Sequence, residues 1–237
     1  AIFISIDDNE QANLKLICDE IFGVRNFITN IVWRSSDNSN NDSKQFSVDY
    51  NHTLVYSKKV GWLANKLVRN LQQSSHYKNP DNDPRGPYFD GNPISSPNYR
   101  ENLCYDLVAP NGTIVKHPKN GWRWSKESMD KKIKKGEIRF NKLNTNIKRR
   151  TYLYEQKGLP PSNLWIDLEE TGHNRNAKYD LVKIFEETSS KNVFQTPKPS
   201  KFIDKIIKVS CSKDDVILDS FAGSGTTLDV ARQLKRK

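Results

Sequence analysis

The sequence predicts an open α/β sheet interrupted by a large insertion of mixed α+β character, and three observations carry that prediction. A strand, an acidic turn and a helix follow one another near the start. A strand, a glycine-rich turn and a helix do the same at the end. Between them periodicity weakens, turn residues crowd together and basic residues accumulate. The 237 residues suffice for one sizeable α/β domain or a domain with an insertion.

Residues 1–57 form the first part. Ile2–Ile6, apolar except for Ser5, reads as a short strand buried on both faces. Asp7, Asp8 and Glu10 follow in an acidic turn. Asp7 with Glu10, or Asp8 with Gln11, has capping-box spacing, while ligands of open α/β sheets bind beyond the carboxyl ends of strands. The turn is thus a cap or a ligand site. Leu14, Ile17, Cys18 and Ile21 mark one face of a helix ending at Gly23. Strand-like Phe27–Trp33 and Thr53–Ser57 flank a polar stretch, Ser35–Ser47, that reads as a mobile surface loop.

Residues 58–191 form the insertion. Asn79–Gly91 carries too many Pro, Gly and Asp residues for a helix or a central strand. Short strands fit Gly112–Val115 and Glu137–Phe140, and helices fit Met129–Lys135 and Lys178–Glu187. Trp122, Trp124, Tyr152, Tyr154 and Trp165 are expected to make a small aromatic core. Between Lys116 and Arg150 there are 13 Lys and Arg against 3 Asp and Glu, a surplus equal to the +10 of the whole chain. Basic runs are commonly solvated faces. Here Arg123, Lys126, Lys131, Lys132, Lys134, Lys135, Lys148, Arg149 and Arg150 neighbour Trp122 and Trp124, a combination suited to nucleic-acid phosphates.

Residues 192–237 restore regularity. Phe194–Ser200, F-Q-T-P-K-P-S, is an extended Pro-rich strip. Phe202, Ile203, Ile206 and Ile207 draw a helical apolar face, and Val216–Leu218 reads as a buried strand. Then comes D-S-F-A-G-S-G-T-T, Asp219–Thr227. A strand, a Gly-rich turn and a helix let the backbone and its free N–H groups approach a ligand. A P-loop would need Lys where Thr226 stands, and a dinucleotide fingerprint would need a small residue where Leu228 stands.

Asp219–Thr227 resembles the cofactor loop of DNA amino-methyltransferases that use S-adenosylmethionine, with Ser220 where proline is common. The Thr-x-Lys-Pro element at Thr196–Pro199 is similar to the one preceding that loop. F-I-S-I-D-D-N-E (Phe3–Glu10), G-W-R-W-S-K-E (Gly121–Glu127), Tyr152–Asp167 and T-G-H-N-R-N-A-K (Thr171–Lys178) extend the likeness to modification subunits of type III restriction systems, which are adenine-N6 methyltransferases of permuted order. The resemblance implies a partial Rossmann-like methyltransferase sheet with a target-recognition insert. It implies cofactor binding by Gln195, Thr196, Lys198, Asp219, Phe221, Ala222, Gly223, Ser224, Gly225, Thr226 and Thr227. It further implies double-stranded DNA as substrate and, as partners, a restriction subunit and a second modification subunit.

The family's catalytic Asp-Pro-Pro-Tyr motif does not occur in this sequence. The permuted order places it upstream of Ala1, and places the acidic ribose anchor beyond Lys237, so the chain reads as a fragment. An N4-cytosine methyltransferase shares the cofactor loop and stays open, as does a non-catalytic nucleic-acid-binding module. Cys18, Cys104 and Cys211 are isolated, and neither they nor the four histidines have metal spacing. With no membrane-length apolar run and no basic leader, they point to reduced thiols in the cytoplasm.

Overall fold

A computed structural model describes residues Ala1–Lys237. In chain order its elements are β1 (Ile2–Ile6), α1 (Gln11–Phe22), β2 (Phe27–Arg34), β3 (Tyr50–Tyr56), α2 (Leu71–Ser74), β4 (Tyr88–Asn92), β5 (Leu107–Val108), β6 (Ile114–Val115), α3 (Lys126–Lys134), β7 (Ile138–Phe140), β8 (Ile147–Tyr152), β9 (Leu164–Trp165), α4 (Leu168–Thr171), α5 (Asn174–Ile184), α6 (Ser200–Ser210) and α7 (Thr226–Gln233). They divide into two compact units: Ala1–Leu67 with Pro160–Lys237, and Val68–Leu159.

The first unit is built on a four-stranded sheet of order β1-β3-β2-β9. β1 and β2 flank β3 antiparallel, and β9 joins β2 in parallel. Alternate side chains of a strand face opposite sides. Leu54 and Tyr56 of β3 therefore pack on Cys18 of α1, with Leu14 and Phe22 at the margin. Val55 faces the other way, into a cluster with Ile31, Trp33, Trp165 and Phe202 of α6. Phe202 lies between the indoles of Trp33 and Trp165, at centroid distances of 4.3 and 5.7 Å. The sheet is thus covered by α1 on one face and α6 on the other, a layered α/β arrangement.

Two apolar runs behave differently from their sequence reading. β1 is an edge strand, paired only with β3, and Ile2 is exposed. An apolar run reports affinity for a sheet and carries no information on how many neighbours flank it. For the same reason Val216–Leu218 reads as a buried strand yet joins no sheet. Its backbone bonds to the chain end instead, Ile217 N to Lys237 O at 2.7 Å and Lys237 N to Asp215 O at 2.9 Å. Only Ile217 turns inward, towards Ile207, Val230 and Ala231, while Val216 and Leu218 are exposed.

The second unit holds an antiparallel sheet of order β4-β8-β7 and the two-stranded β5–β6 hairpin. Its core is Leu107, Val115, Trp122, Met129, Ile138 and Ile147. The Pro-rich run around residue 80 ends in β4, an edge strand, where missing ladder donors cost least. Of the expected aromatic core, Trp122 and Tyr152 are buried here, Trp124 is half-buried and Tyr154 is exposed. Trp165 belongs to the first unit, because β9 pairs with β2.

Candidate functional site

In the first unit, the Pro-rich strip lies against the glycine-rich turn. The ring of Phe194 packs on Gly223 so closely that a Cβ there would sit 3.2 Å from it. Gly225 is left-handed (φ 79°), its N–H closes a turn onto Ala222 O at 2.8 Å, and it leads directly into α7. Ser224 Oγ and Thr226 Oγ1 are hydrogen-bonded at 2.9 Å beside the free N–H groups of the helix start. Asp219 accepts from the Phe221 amide at 3.0 Å. Ala222 and Phe221 are exposed, and Thr227 is half-buried.

Lys198 is the chemically distinctive residue of the strip. Its Nζ lies 5.6 Å from the Trp33 ring centroid, and no carboxylate is within ion-pair distance. Burial lowers its pKa, opposed by the nearby charge of Asp7. Trp33 is fully buried and its indole N–H has no partner. Gln195 spans the strip, donating to Lys191 O and Val193 O and accepting from Lys178 Nζ. Thr196 is exposed. Gly172 packs against Pro199, where a Cβ would come within 3.0 Å, so Thr171–Lys178 backs the strip.

The acidic turn does not cap α1. Glu10 occupies the N-cap without a side-chain bond; its carboxylate instead accepts from Asn13 at 2.9 Å. Asp7 accepts from the Asn9 amide at 3.1 Å. Asp8 accepts from His52 Nε2 at 2.7 Å, and this bond holds its carboxyl below the ordinary range. Asn30 Nδ2 donates to His52 Nδ1 at 2.8 Å, which sets the tautomer that points Nε2–H at Asp8. The register of Ile6 with His52 and Tyr50 with Arg34 puts this turn at the end of the sheet where the loop between β2 and β3 departs.

In the second unit the basic residues divide between two environments. The unit carries 18 Lys and Arg against 9 Asp and Glu, nearly all of the chain's surplus. Lys131, Lys132 and Lys134 lie in the last turn of α3, with Lys135 following, where cations complement the helix dipole. Trp124 is flanked by Lys132 Nζ at 5.5 Å and Arg149 Cζ at 5.4 Å. Arg123, Lys126, Lys131, Lys134, Lys135 and Lys148 are exposed.

Arg150 corrects the sequence reading. It is only 6% exposed and binds Asp81, Asp83 and Asp90 at 3.0 to 3.1 Å, so it has no face to offer a phosphate. The reason is strand alternation: in β8, Arg149 turns towards Trp124 and the next residue turns to the opposite side. Asp83 is the hub of that side. It also takes bonds from Arg85, Arg139 and the Tyr152 hydroxyl, and Arg85 first, then Tyr152, hold its carboxyl well below the usual range. Phe194, Trp33 and His52 went unrecognised in the sequence because only tertiary contact distinguishes them from core residues.

No group of three or more His, Cys, Asp or Glu is arranged to hold a metal ion, and no helix is long and apolar enough to cross a membrane. The DNA methylase family model covering N6 and N4 enzymes matches residues 1–237. The chain belongs to this DNA methylase family. The Mod subunit of the type III restriction-modification enzyme StyLTI of Salmonella typhimurium is 35% identical over the whole chain, which spans 35% of that protein. The EcoP15I Mod subunit of Escherichia coli is 28% identical over the whole chain, covering 41% of its length. The type II methyltransferase M.KpnI of Klebsiella pneumoniae is 32% identical over 98% of the chain and 58% of its own length. The chain thus spans about a third to three-fifths of these DNA methylase relatives.

Proposed function

We propose that this chain is the cofactor-binding and DNA-contacting portion of a site-specific adenine-N6 DNA methyltransferase, the modification subunit of a type III restriction-modification system. The single observation that carries the reading is the packing of Phe194, at the start of the Pro-rich strip, on Gly223 of the glycine-rich turn. This contact supports the reading because it joins the strip that carries the half-buried Lys198 to the turn.

The donor set fits S-adenosylmethionine. Lys198 is a half-buried ammonium with no ion-pair partner, suited to an amino-acid carboxylate. Asp7, close enough to influence Lys198, and Asp219 at the turn offer acceptors for an amino group. Gly223 accommodates the Phe194 ring, Gly225 leaves open space where a Cβ would stand, and the N–H groups at the start of α7 add donors. The cofactor when bound supplies the methyl group. Lys198 then orients its carboxylate, the glycine backbone lets it approach, and Asp8, locked by His52, holds the acidic turn in place. The first unit is read as part of a Rossmann-like methyltransferase sheet, and Asp-Pro-Pro-Tyr, absent from residues 1–237, as lying elsewhere in the full-length protein.

The insert is proposed to contact duplex DNA through Arg123, Lys126, Lys131, Lys132, Lys134, Lys135, Lys148 and Arg149, with a restriction subunit and a second modification subunit as partners. Two measurements test the reading. Calorimetric titration of residues 1–237 with S-adenosylmethionine is expected to give saturable 1:1 binding. Nucleoside analysis of DNA modified by the full-length protein is expected to give N6-methyladenine. N4-methylcytosine would move the assignment to the cytosine enzymes, and absence of both cofactor binding and methylation would end it.

A further inference from the structure

We propose that Phe46 is a wedge that enters duplex DNA and fills the space left when the target adenine leaves the stack. The proposal rests on the adenine methyltransferase reading and adds to it a DNA-contacting element in the first unit, outside the basic insert.

The segment between β2 and β3 is a built hairpin. Asp49 is its hub: its carbonyl accepts from the amides of Ser35 at 2.9 Å and Ser36 at 3.2 Å. Its carboxylate accepts from Ser39 at 2.6 Å and Ser47 at 2.5 Å. Ser47 Oγ also accepts from the Asn40 amide at 2.7 Å, closing the two arms upon each other. Arg34 donates to the carbonyls of Ser36 and Asp37, and Arg175 pairs with Asp37 at 2.9 Å. A polar cavity of about 360 Å³ opens at the stem, walled by Ser35, Asp37, Tyr50, Asn51, Asn174 and Arg175 among others.

From this hydrogen-bonded frame Phe46 projects, 90% exposed, two residues after the exposed Lys44. A single exposed apolar residue is ordinary. The two apolar side chains of this segment, Phe46 and Val48, both stand in water, Val48 63% exposed, and folding gains nothing from placing the Phe46 ring there. The hairpin leaves the sheet at the same end as the acidic turn, since Arg34 pairs with Tyr50 and Ile6 with His52. That is the end at which Lys198 feels Asp7. An apolar side chain pushed between base steps offsets lost stacking, and a neighbouring lysine supplies a phosphate contact. The pinned arms supply the stiffness that a wedge requires.

The test uses the full-length methyltransferase and its methylated sequence as a duplex, in two forms: target adenine paired with thymine, and target adenine opposite an abasic position. Removing the partner base lowers the cost of extrusion. Phe46→Ala is expected to lower kcat/KM at least tenfold on the paired duplex and to recover most of that loss on the abasic one. Phe46→Trp is expected to retain activity on both. Cofactor affinity and melting temperature of Phe46→Ala are expected to match the parent, which separates a wedge from a folding defect. Equal activity of Phe46→Ala and parent on the paired duplex would overturn the wedge and leave the methyltransferase reading intact. An equal loss on both duplexes would also overturn it, pointing to a role in general binding. A parent protein that methylates neither duplex would overturn the underlying reading, and the wedge with it.

Discussion

Lys198 and Arg150 show how two basic side chains of one chain come to opposite uses. Lys198 is half-buried without a counter-ion in contact, so its charge is available to a ligand. Lys198→Met is expected to weaken S-adenosylmethionine binding at least tenfold in a calorimetric titration with little change in melting temperature; an unchanged affinity would remove this residue from the site. Arg150 is saturated by three carboxylates. Arg150→Gln is therefore expected to lower the melting temperature while leaving the salt dependence of DNA binding intact. Arg149→Gln and Lys148→Gln are expected to do the reverse, each reducing the slope of log K against log salt by about 0.9 if it neutralises one phosphate. The Asp83 carboxyl, depressed by Arg85 and Tyr152, adds a pH dependence. A depressed carboxyl stabilises the fold above its unfolded value, about 3.9. Melting temperature is expected to fall as pH drops below that range, and Asp83→Asn is expected to flatten the profile.

At the level of elements, the glycine-rich turn and the Pro-rich strip act as a pair. Gly223 has φ 55°, and a Cβ there would lie 3.2 Å from Phe194. Gly223→Ala is expected to weaken cofactor binding more than Gly225→Ala, whose Cβ would meet nothing within 4 Å although its backbone is equally left-handed. Phe194→Leu combined with Gly223→Ala is expected to recover part of the loss; calorimetry of the three variants checks the order. The β2–β3 hairpin illustrates how a polar stretch gains structure. Ser39 and then Ser47 depress Asp49, so the tie persists above the ordinary carboxylate range and loosens as pH falls through the lowered value. Asp49→Ala is expected to speed amide exchange across residues 35–47 at neutral pH, and unaltered protection there would mean that the hairpin is held by its backbone alone.

Across the whole molecule, the two units differ in charge and in what holds them together. The first is nearly neutral and depends on apolar burial around β3, so Phe202→Ala is expected to cost about 3–5 kcal/mol in a denaturant titration. The second carries the basic surplus and an ionic hub at Asp83 beside its apolar core. Because Asp-Pro-Pro-Tyr does not occur in residues 1–237, that segment by itself is expected to transfer no labelled methyl group to DNA even where it binds cofactor. Transfer above background would direct attention to Asp7 and its surroundings.

What the sequence by itself determined is what local chemistry encodes. The helix Gln11–Phe22, the strands around Val32 and Val55, the glycine turn before α7 and the confinement of positive charge follow from periodicity, propensity and composition, and the motif words suffice for family membership. What only the tertiary structure decided is what depends on neighbours. Apolar runs at β1 and Val216–Leu218 read alike as buried strands, yet one lies at a sheet edge and the other joins no sheet. Lys148, Arg149 and Arg150 are adjacent letters of like charge, and strand alternation sends the third into a carboxylate cage. Trp165 reads as part of the insert and packs in the first unit. Phe194, His52 and Phe46 carry no local signal, because their significance lies in which distant residue, or which open space, each one meets.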